Sequence, residues 1–461
     1  MSIAAARAAK LPKLVVLGTG WGSFSFLKNI DASKFNVSVV SPRDHMLFTP
    51  LLASTTVGTL EHRSVIESLR PMAATKGVKF YQGEALTVNP EKRTVTVGKA
   101  VLDRFKREHR KLDLSALGEQ FTLPYDALVV GVGAVPNTFG IPGVEDNTFF
   151  LKEARDGKLI RGRIHDCFEA ASYPMEDEDK ASVEARKALL TFCVVGGGPT
   201  GCEFAAELTD FINQDVGRAY PNAFSGSTHL WPRVILLEAS GELLGAFDTS
   251  LRSYALRKLH KSGNCEVRLG AAVERVEPGV IVLKGGEKIR CGLVVWSTGI
   301  GPRKFVAEGM KWAKRTNGRI EVDDRLQLVD PKGKGRIFAI GDCAQVSGSI
   351  YPAIAQVAEQ QGNYLAKALN TKGIPDKDII NSQESFRFAS KGMLAYLGNY
   401  SGVASLVSQD KAGKDVKMKG HIAWLLWRGA YLSKLGTWRN RLQVPVDWAK
   451  TLLFGRDPSR F

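Results

Sequence analysis

Two glycine-rich turns carry the first chemical signal in the chain. One is LVVLGTGWGS at residues 14–23, with Gly18, Gly20 and Gly22; the other is FCVVGGGPTG at residues 192–201, with Gly196, Gly198 and Gly201. Each follows an apolar, strand-like run and precedes a helix-like run. The second turn meets the Gly-x-Gly-x-x-Gly spacing in full. The first has Ser23 in the third place, where a small residue still lets the helix close on the strand. Such turns let backbone N–H groups approach a pyrophosphate, and the helix N-terminus adds partial positive charge. Trp21 in the first turn, and Pro199 and Thr200 in the second, are candidate neighbours of those phosphates. Two turns about 180 residues apart imply two dinucleotides on one chain, with electrons passing between them.

A dinucleotide site also needs a group for the ribose. In the second unit this is Glu238, which closes the strand Val234–Leu237. An inserted loop at about 214–232 accounts for its long spacing from Gly196. A carboxylate there accepts from a 2′-OH and repels a 2′-phosphate, and no Arg occurs in Ala239–Phe247, so NADH is favoured over NADPH. In the first unit the equivalent position is Ser41, followed by Pro42, Arg43 and Asp44; the expected acid is missing, and Arg43 is the candidate to stack on or pair with a nucleotide. The strands Ala127–Ala134 and Gly292–Gly301 are counterparts, with Gly133 and Gly299 near their ends. A further apolar strand, Arg336–Ile340, ends in Gly341 and Asp342, and Pro352 then introduces a helix over Ala353–Lys367. Gln356 and Gln360 lie four apart on one face of that helix. Its N-terminus, just after Asp342, offers partial positive charge to a bound cofactor on which reduction builds negative charge, such as a flavin at its N1–C2=O edge. Two glutamines on a helix are by themselves an ordinary solvated face, and Glu203 is by itself an acid suited to an early helical turn.

The elements that position these residues read as an α/β protein with two Rossmann-like dinucleotide-binding domains and a C-terminal membrane-associating region. The expected divisions are 11–187 and 306–385 for one nucleotide domain, 188–305 for the other, and 386–461 for the C-terminal region. Residues 100–122 are charge-rich and read as an inserted excursion; residues 170–187 read as a solvated connector. Of the 461 residues, 44% are hydrophobic and 24% charged, ordinary for a globular chain. The net charge of +16 is not ordinary and points to an acidic surface. Residues 385–461 hold 13 Lys/Arg against 4 Asp/Glu, so much of the excess sits there. Within them HIAWLLWRGAYLSKL (421–435) interleaves Trp, Leu, Arg and Lys. It is too charged to span a bilayer and fits an element lying in its interface, indoles at headgroup depth and cations on anionic lipid. The structural alternative is a dimerisation or core helix. The six cysteines, Cys167, Cys193, Cys202, Cys265, Cys291 and Cys343, show no Cys-x-x-Cys or Cys-x4-Cys spacing, which argues against a zinc site or a sequence-local redox disulfide. No metal site is expected. The N-terminal MSIAAARAAKLPK is basic and acid-free, as in the stub of an organelle transit peptide, while Ser459-Arg460-Phe461 only faintly resembles a peroxisomal signal.

Several segments together resemble the type II NADH:quinone oxidoreductases, the single-chain, non-pumping alternative NADH dehydrogenases, and among them the eukaryotic, mitochondrial members. These are SPRDHMLFTPLL (41–52), VGTLEHR (57–63), VVGGGPTGCEFAAEL (194–208), FAIGD (338–342), AQVAEQQGNYL (355–365), KGMLAYLG (391–398) and the Trp/Arg-rich tail from Trp424 to Phe461. The resemblance covers nearly the whole chain. It implies non-covalent FAD in the first unit, with Gly18, Gly20 and Gly22 along the pyrophosphate, Thr49 and Pro50 near the flavin, and Asp342 on the ribityl or pyrophosphate region. NADH is implied in the second unit. Ala355, Gln356 and Gln360 would meet the flavin edge or quinone carbonyls. Glu203 would lie near nicotinamide and flavin and relay protons; Lys391 matches a lysine of some bacterial members and is a candidate second proton donor. The resemblance further implies a ubiquinone-type acceptor, peripheral attachment to the mitochondrial inner membrane, and a homodimer formed through the tail. No EF-hand loop occurs, so calcium control is not expected. Two rivals remain at this point: a soluble flavoprotein reductase with a protein acceptor, which leaves the tail unexplained, and a non-catalytic subunit of a respiratory assembly, which leaves the intact motifs unexplained.

Overall fold

Both glycine turns form between a buried strand and a helix. β1 (Lys13–Leu17) runs into α1 (Trp21–Asn29), and β2 (Thr191–Val195) runs into α2 (Pro199–Phe211). The computed structural model describes residues 11–99, 118–174, 179–223, 230–333, 335–374, 384–407 and 415–459. Residues 1–10 of the basic N-terminal stub, most of the 100–122 excursion, residues 224–229 of the inserted loop and the last two residues lie outside these. The described residues form two compact units, one within Met1–Leu47, Ser68–Val135 and Ile300–Ser390, the other within Phe48–Glu67, Pro136–Gly299 and Lys391–Phe461.

The first unit is built on a five-stranded sheet ordered Ile337–Ala339, Ala127–Val130, β1, Asn36–Ser41, Lys79–Gln82, parallel throughout. Leu14, Val15, Val16 and Leu17 are all buried, because a parallel sheet covered on both faces selects an unbroken apolar run rather than an alternating one. Strand order reverses beside β1, which opens a crevice at its C-terminal end. Helix α3 (Ala355–Lys372) packs on α1. The two approach where a side chain on Gly362 would run into the Gly22 carbonyl. The helix begins two residues later than Pro352 suggests and ends five residues later, at a Gly373 whose φ of 74° suits glycine.

The second unit repeats the plan. Its parallel sheet runs Phe149–Phe150, Leu293–Trp296, β2, Arg233–Glu238, Cys265–Leu269; the last four follow the order of the first sheet with β2 in the place of β1, while the edge strand Phe149–Phe150 comes before the glycine turn rather than after it. The helix Ala154–Ser172 opens on a reciprocal capping box between Glu153 and Asp156 and buries Ile160, Ile164, Phe168 and Ala171. The expected connector at 170–187 is therefore helical in large part: Ala154–Ser172 covers its start, and Lys180–Leu189, capped by Asp179 and burying nothing, covers its end. Its polar composition reflects a solvated helix rather than a linker. Strand Phe149–Phe150 and helix Ala154–Ser172 belong with the second sheet, so residues 136–187 and 48–67 fall in this unit rather than in the first nucleotide domain, where the expected division at 11–187 puts them.

The C-terminal region adds a three-stranded antiparallel sheet, Met393–Tyr396, Gly402–Leu406 and Val416–Gly420, followed by α4 (His421–Lys434) and α5 (Trp438–Phe454). In α4, Ala423 and Trp427 are buried while Ile422 and Leu425 are exposed. In α5, Val444 and Trp448 are buried while Trp438, Leu442, Val446, Leu453 and Phe454 are exposed. No helix among the described residues is long and apolar enough to cross a membrane.

Candidate functional site

In the first unit the turn after β1 is shaped by Gly18, at φ 98°, where any side chain would strike the Gly131 carbonyl. Ser23, in the third glycine's place, is buried and donates to the carbonyls of Leu17 and Gly131 at 3.3 Å each, so its hydroxyl fits the tight helix–strand contact. The missing acid is replaced by a hydroxyl network. Ser41 and Thr19 meet at 3.0 Å, Thr19 donates to the His45 carbonyl at 3.0 Å, and Ser41 accepts from the Arg43 amide at 3.2 Å. The Arg43 guanidinium reaches within 3.8 Å of where a side chain on Gly20 would begin. A cation thus flanks a cradle of backbone amides at a helix N-terminus, the donor set a pyrophosphate requires. Gly133, at φ 68°, and Gly341, at φ 74°, take the left-handed conformation at the ends of the two neighbouring strands. Asp342 shares a small cavity with Tyr351, Pro352 and Ile354, the residue before α3.

Helix α3 separates its glutamines by role. Gln360 is committed to backbone: its amide nitrogen donates to the Ala389 carbonyl at 2.8 Å and its oxygen accepts from the Ala389 amide at 3.0 Å. Gln361, which sequence reasoning passed over, is buried and accepts from the Gly341 amide at 2.6 Å, fixing the turn that carries Asp342. Gln356 and Ala355 are half-buried in the first turn.

In the second unit the turn after β2 is tighter. Gly196 sits at φ 115°, and a side chain on Gly201 would collide with the Gly196 carbonyl, so glycine is required at both. Pro199 and Thr200 form the first turn of α2. Glu238 closes its strand as expected; its carboxylate accepts from the Gly197 amide at 2.6 Å and the Ser240 amide at 2.7 Å, which orients it at the mouth of the turn. Gly299, at φ 69°, lies against the Phe139 ring. Thr49 and Pro50 open a short 3-10 turn in this same unit, and Lys391 is exposed at the start of the C-terminal sheet.

Glu203 occupies the most unusual environment. It is buried, and one carboxylate oxygen accepts from the Tyr396 amide at 3.2 Å and the Trp427 indole at 3.1 Å. Burial pushes its pKa up to about 8, the two hydrogen bonds opposing and the neighbouring Glu207 adding to the rise. Glu203 therefore carries a proton at neutral pH. An aromatic wall surrounds it: Trp427 lies 5.6 Å from Tyr396 and 5.1 Å from Tyr431, which in turn meets Phe48 at 5.9 Å.

A profile for the pyridine nucleotide-disulphide oxidoreductases matches residues 12–362, and the NDH2 C-terminal domain matches residues 390–457. The chain belongs to this family, in the type II NADH dehydrogenase branch. A probable NADH dehydrogenase of Dictyostelium discoideum is 42% identical over 97% of this chain and 91% of its own length. The external NADH-ubiquinone oxidoreductase 2 of Saccharomyces cerevisiae mitochondria is 39% identical over 99% of this chain and 84% of its own. The structure of NDH2 from Plasmodium falciparum in complex with NADH superposes with a TM-score of 0.83 at 25% identity, covering 98% of this chain and all of that one. Within the family frame, the residues that sequence reasoning missed are those that build the surroundings of Glu203: Tyr396 and Trp427 from the C-terminal domain, and Glu207 and Asp210 further along α2. The signal for the last two was present. Glu203, Glu207 and Asp210 repeat at helical spacing within the otherwise apolar run GCEFAAELTDF, without a basic residue to balance them.

Proposed function

We propose that the protein is a single-chain flavoprotein that passes two electrons from NADH through FAD to a ubiquinone-type quinone without pumping protons. The balanced reaction is NADH + H⁺ + quinone → NAD⁺ + quinol. FAD, when bound, supplies the two-electron relay between the nicotinamide and the quinone. The residues present fit it: the turn after β1 offers amides, a helix N-terminus and Arg43 to a pyrophosphate, and Asp342 and the first turn of α3, with Ala355 and Gln356, are placed for the rest of the cofactor. The turn after β2 holds NADH, and Glu238 bonds its ribose hydroxyls and repels a 2′-phosphate. Glu203 holds a proton within the second unit for the reduction of quinone. The observation that carries the reading is the pair of five-stranded parallel sheets that share the order of four strands, each with a glycine turn on its central strand, joined in one chain to an NDH2 C-terminal domain.

We place the enzyme in mitochondria, peripherally on the inner membrane, with the exposed apolar residues of α4 and α5 in the lipid interface. Self-association through the same helices into a homodimer is compatible with that placement. The test is anaerobic addition of NADH to purified protein. Flavin absorbance should bleach and return on addition of a water-soluble quinone; a protein that stays colourless with added FAD, or bleaches but is not reoxidised by quinone, overturns the proposal.

A further inference from the structure

Helix α2 carries Glu203, Glu207 and Asp210 on one face, and all three are buried. Buried carboxylates are costly unless balanced, and these are balanced unequally. Glu207 accepts from the Ser54 and Thr59 hydroxyls at 2.7 Å each and lies 3.7 Å from the Arg456 guanidinium. Asp210 accepts from the Tyr396 hydroxyl at 2.5 Å and the Asn399 amide at 2.9 Å. Glu203, by contrast, forms no ion pair among the described residues. Access is graded as well. Asp210 lines two cavities: one of about 280 Å³, shared with Asn399, Lys258 and Lys261, and one of about 340 Å³, shared with Glu207, Tyr396 and Arg456. Both are lined in part by polar side chains, the larger more so, and both are large enough for water. Glu203 lines neither. The residue that links the ends is Tyr396, whose amide holds Glu203 and whose hydroxyl holds Asp210.

We propose that Asp210, with Tyr396, takes up from solvent the proton consumed in quinone reduction, and that this proton moves through Glu207 to Glu203 along the buried face of α2. The inference rests on the proposed function. Each turnover oxidises one NADH, reduces one quinone by two electrons and draws one proton from water, so a supply route to a sealed acid is needed. Water in the cavities protonates the Asp210 carboxylate. Water in the larger cavity carries the proton to Glu207, one turn of helix from Glu203. Burial pushes Asp210 up to about 6, with Tyr396 and Arg456 opposing, and Glu203 to about 8, so proton affinity is higher at the inner end than at the intake. Arg456, whose guanidinium is shared among Glu207, Asp215 and Gln214, keeps the charge on this path near balance. Arg428, held 4.3 Å from both Trp424 and Trp448, also lines the larger cavity.

Asp210 and Glu207 act through Glu203 and are positioning residues, so the test must separate proton delivery from folding. Stopped-flow measurements on the flavin-loaded enzyme can follow the NADH half-reaction and the quinone half-reaction separately. Asp210→Asn should leave flavin reduction by NADH within about twofold of wild type. It should slow reoxidation by soluble quinone about tenfold or more, with a larger solvent deuterium effect and partial rescue by imidazolium entering the open cavity. Glu207→Gln should move the alkaline limb of quinone reduction to lower pH, because the anion that raises Glu203 is gone. If Asp210→Asn does not fold, Tyr396→Phe removes only the hydroxyl and should give the same pattern. Equal slowing of both half-reactions, or a slow quinone half-reaction with an unchanged isotope effect and no rescue, overturns the route. Failure of the wild-type enzyme to reduce quinone at all would instead overturn the proposed function.

Discussion

Replacing Glu203 with Gln should make the protein more stable and less active, and the stability gain should depend on pH in a defined way. The folded acid titrates at about 8 against an ordinary value of 4.5. Below pH 4.5 the acid is protonated in both folded and unfolded chains and contributes no difference. Between 4.5 and 8 the unfolded chain releases its proton while the folded chain retains it, so folding is opposed by about 1.4 kcal/mol per pH unit. Above 8 both states are ionised and the cost levels off at ~5 kcal/mol. Glutamine reproduces the protonated acid: its oxygen accepts from Trp427 and Tyr396, and its amide replaces the acid O–H. Thermal unfolding of wild type and Glu203→Gln between pH 4 and 9 reads the difference directly. The curves should coincide near pH 4.5 and diverge steadily to pH 8, while quinone reduction is lost. A difference that does not change with pH, or a variant less stable than wild type at pH 8, would refute the assignment of a buried, protonated acid.

Four other outcomes follow from the structure. Glu238→Gln should raise the KM for NADH about 5–30-fold, the loss of a charge-assisted hydrogen bond of roughly 1–2 kcal/mol, and narrow the preference over NADPH, as steady-state kinetics with both nucleotides would show. Gly201→Ala drives a side chain into the Gly196 carbonyl and should abolish NADH binding by calorimetry, whereas Ser23→Gly in the first turn should leave flavin content unchanged. Arg456→Met strands Asp215 and Glu207 without their buried cation and should cost roughly 3–5 kcal/mol in denaturant unfolding, with Arg456→Lys recovering part of it. Leu425→Glu with Leu442→Glu, both exposed, should release the protein from vesicles containing anionic lipid without altering its reduction of a soluble quinone.

The twin sheets were legible because their signals are local. An apolar run, a glycine turn and a helical period each lie within a dozen residues, and steric need fixes the glycines: Gly18 and Gly201 sit where a side chain would strike backbone, and Gly196 takes a φ of 115° against tight neighbours. Glu238 was legible for the same reason, as the last residue of a strand whose neighbour is set by the fold. The surroundings of Glu203 were not. Tyr396 and Trp427 reach it from 193 and 224 residues away, and nothing near either residue announces that its amide or indole meets a carboxylate. The glutamine helix was legible only as a face. Gln356 and Gln360 share a face, yet Gln360 is taken up by the Ala389 backbone, while the neighbouring Gln361, on the buried side, holds the Asp342 turn.

One helix accounts for both the binding and the acid chemistry of the second unit, and magnitudes decide between them. The N-terminus of α2 favours anions by roughly 0.3–1 kcal/mol, an effect that fades within the first turn. Had Glu203 been a dipole-stabilised acid, its pKa would have fallen. Burial instead pushes it up to about 8, a rise worth ~5 kcal/mol, so burial outweighs the dipole several-fold. The division follows from position along the helix. Gly198, Pro199 and Thr200 lie in the turn where amides are unpaired and open to a phosphate. Glu203 lies past it, where the amides are spent and the C-terminal sheet and α4 close over the side chain. A family that shares the nucleotide turn but lacks this C-terminal cover would leave the same acid in water, ionised and unable to store a proton. The NDH2 C-terminal domain therefore sets the proton affinity of this acid: by placing Trp427 and Tyr396 over α2, it turns an ordinary helical glutamate into a neutral acid at physiological pH.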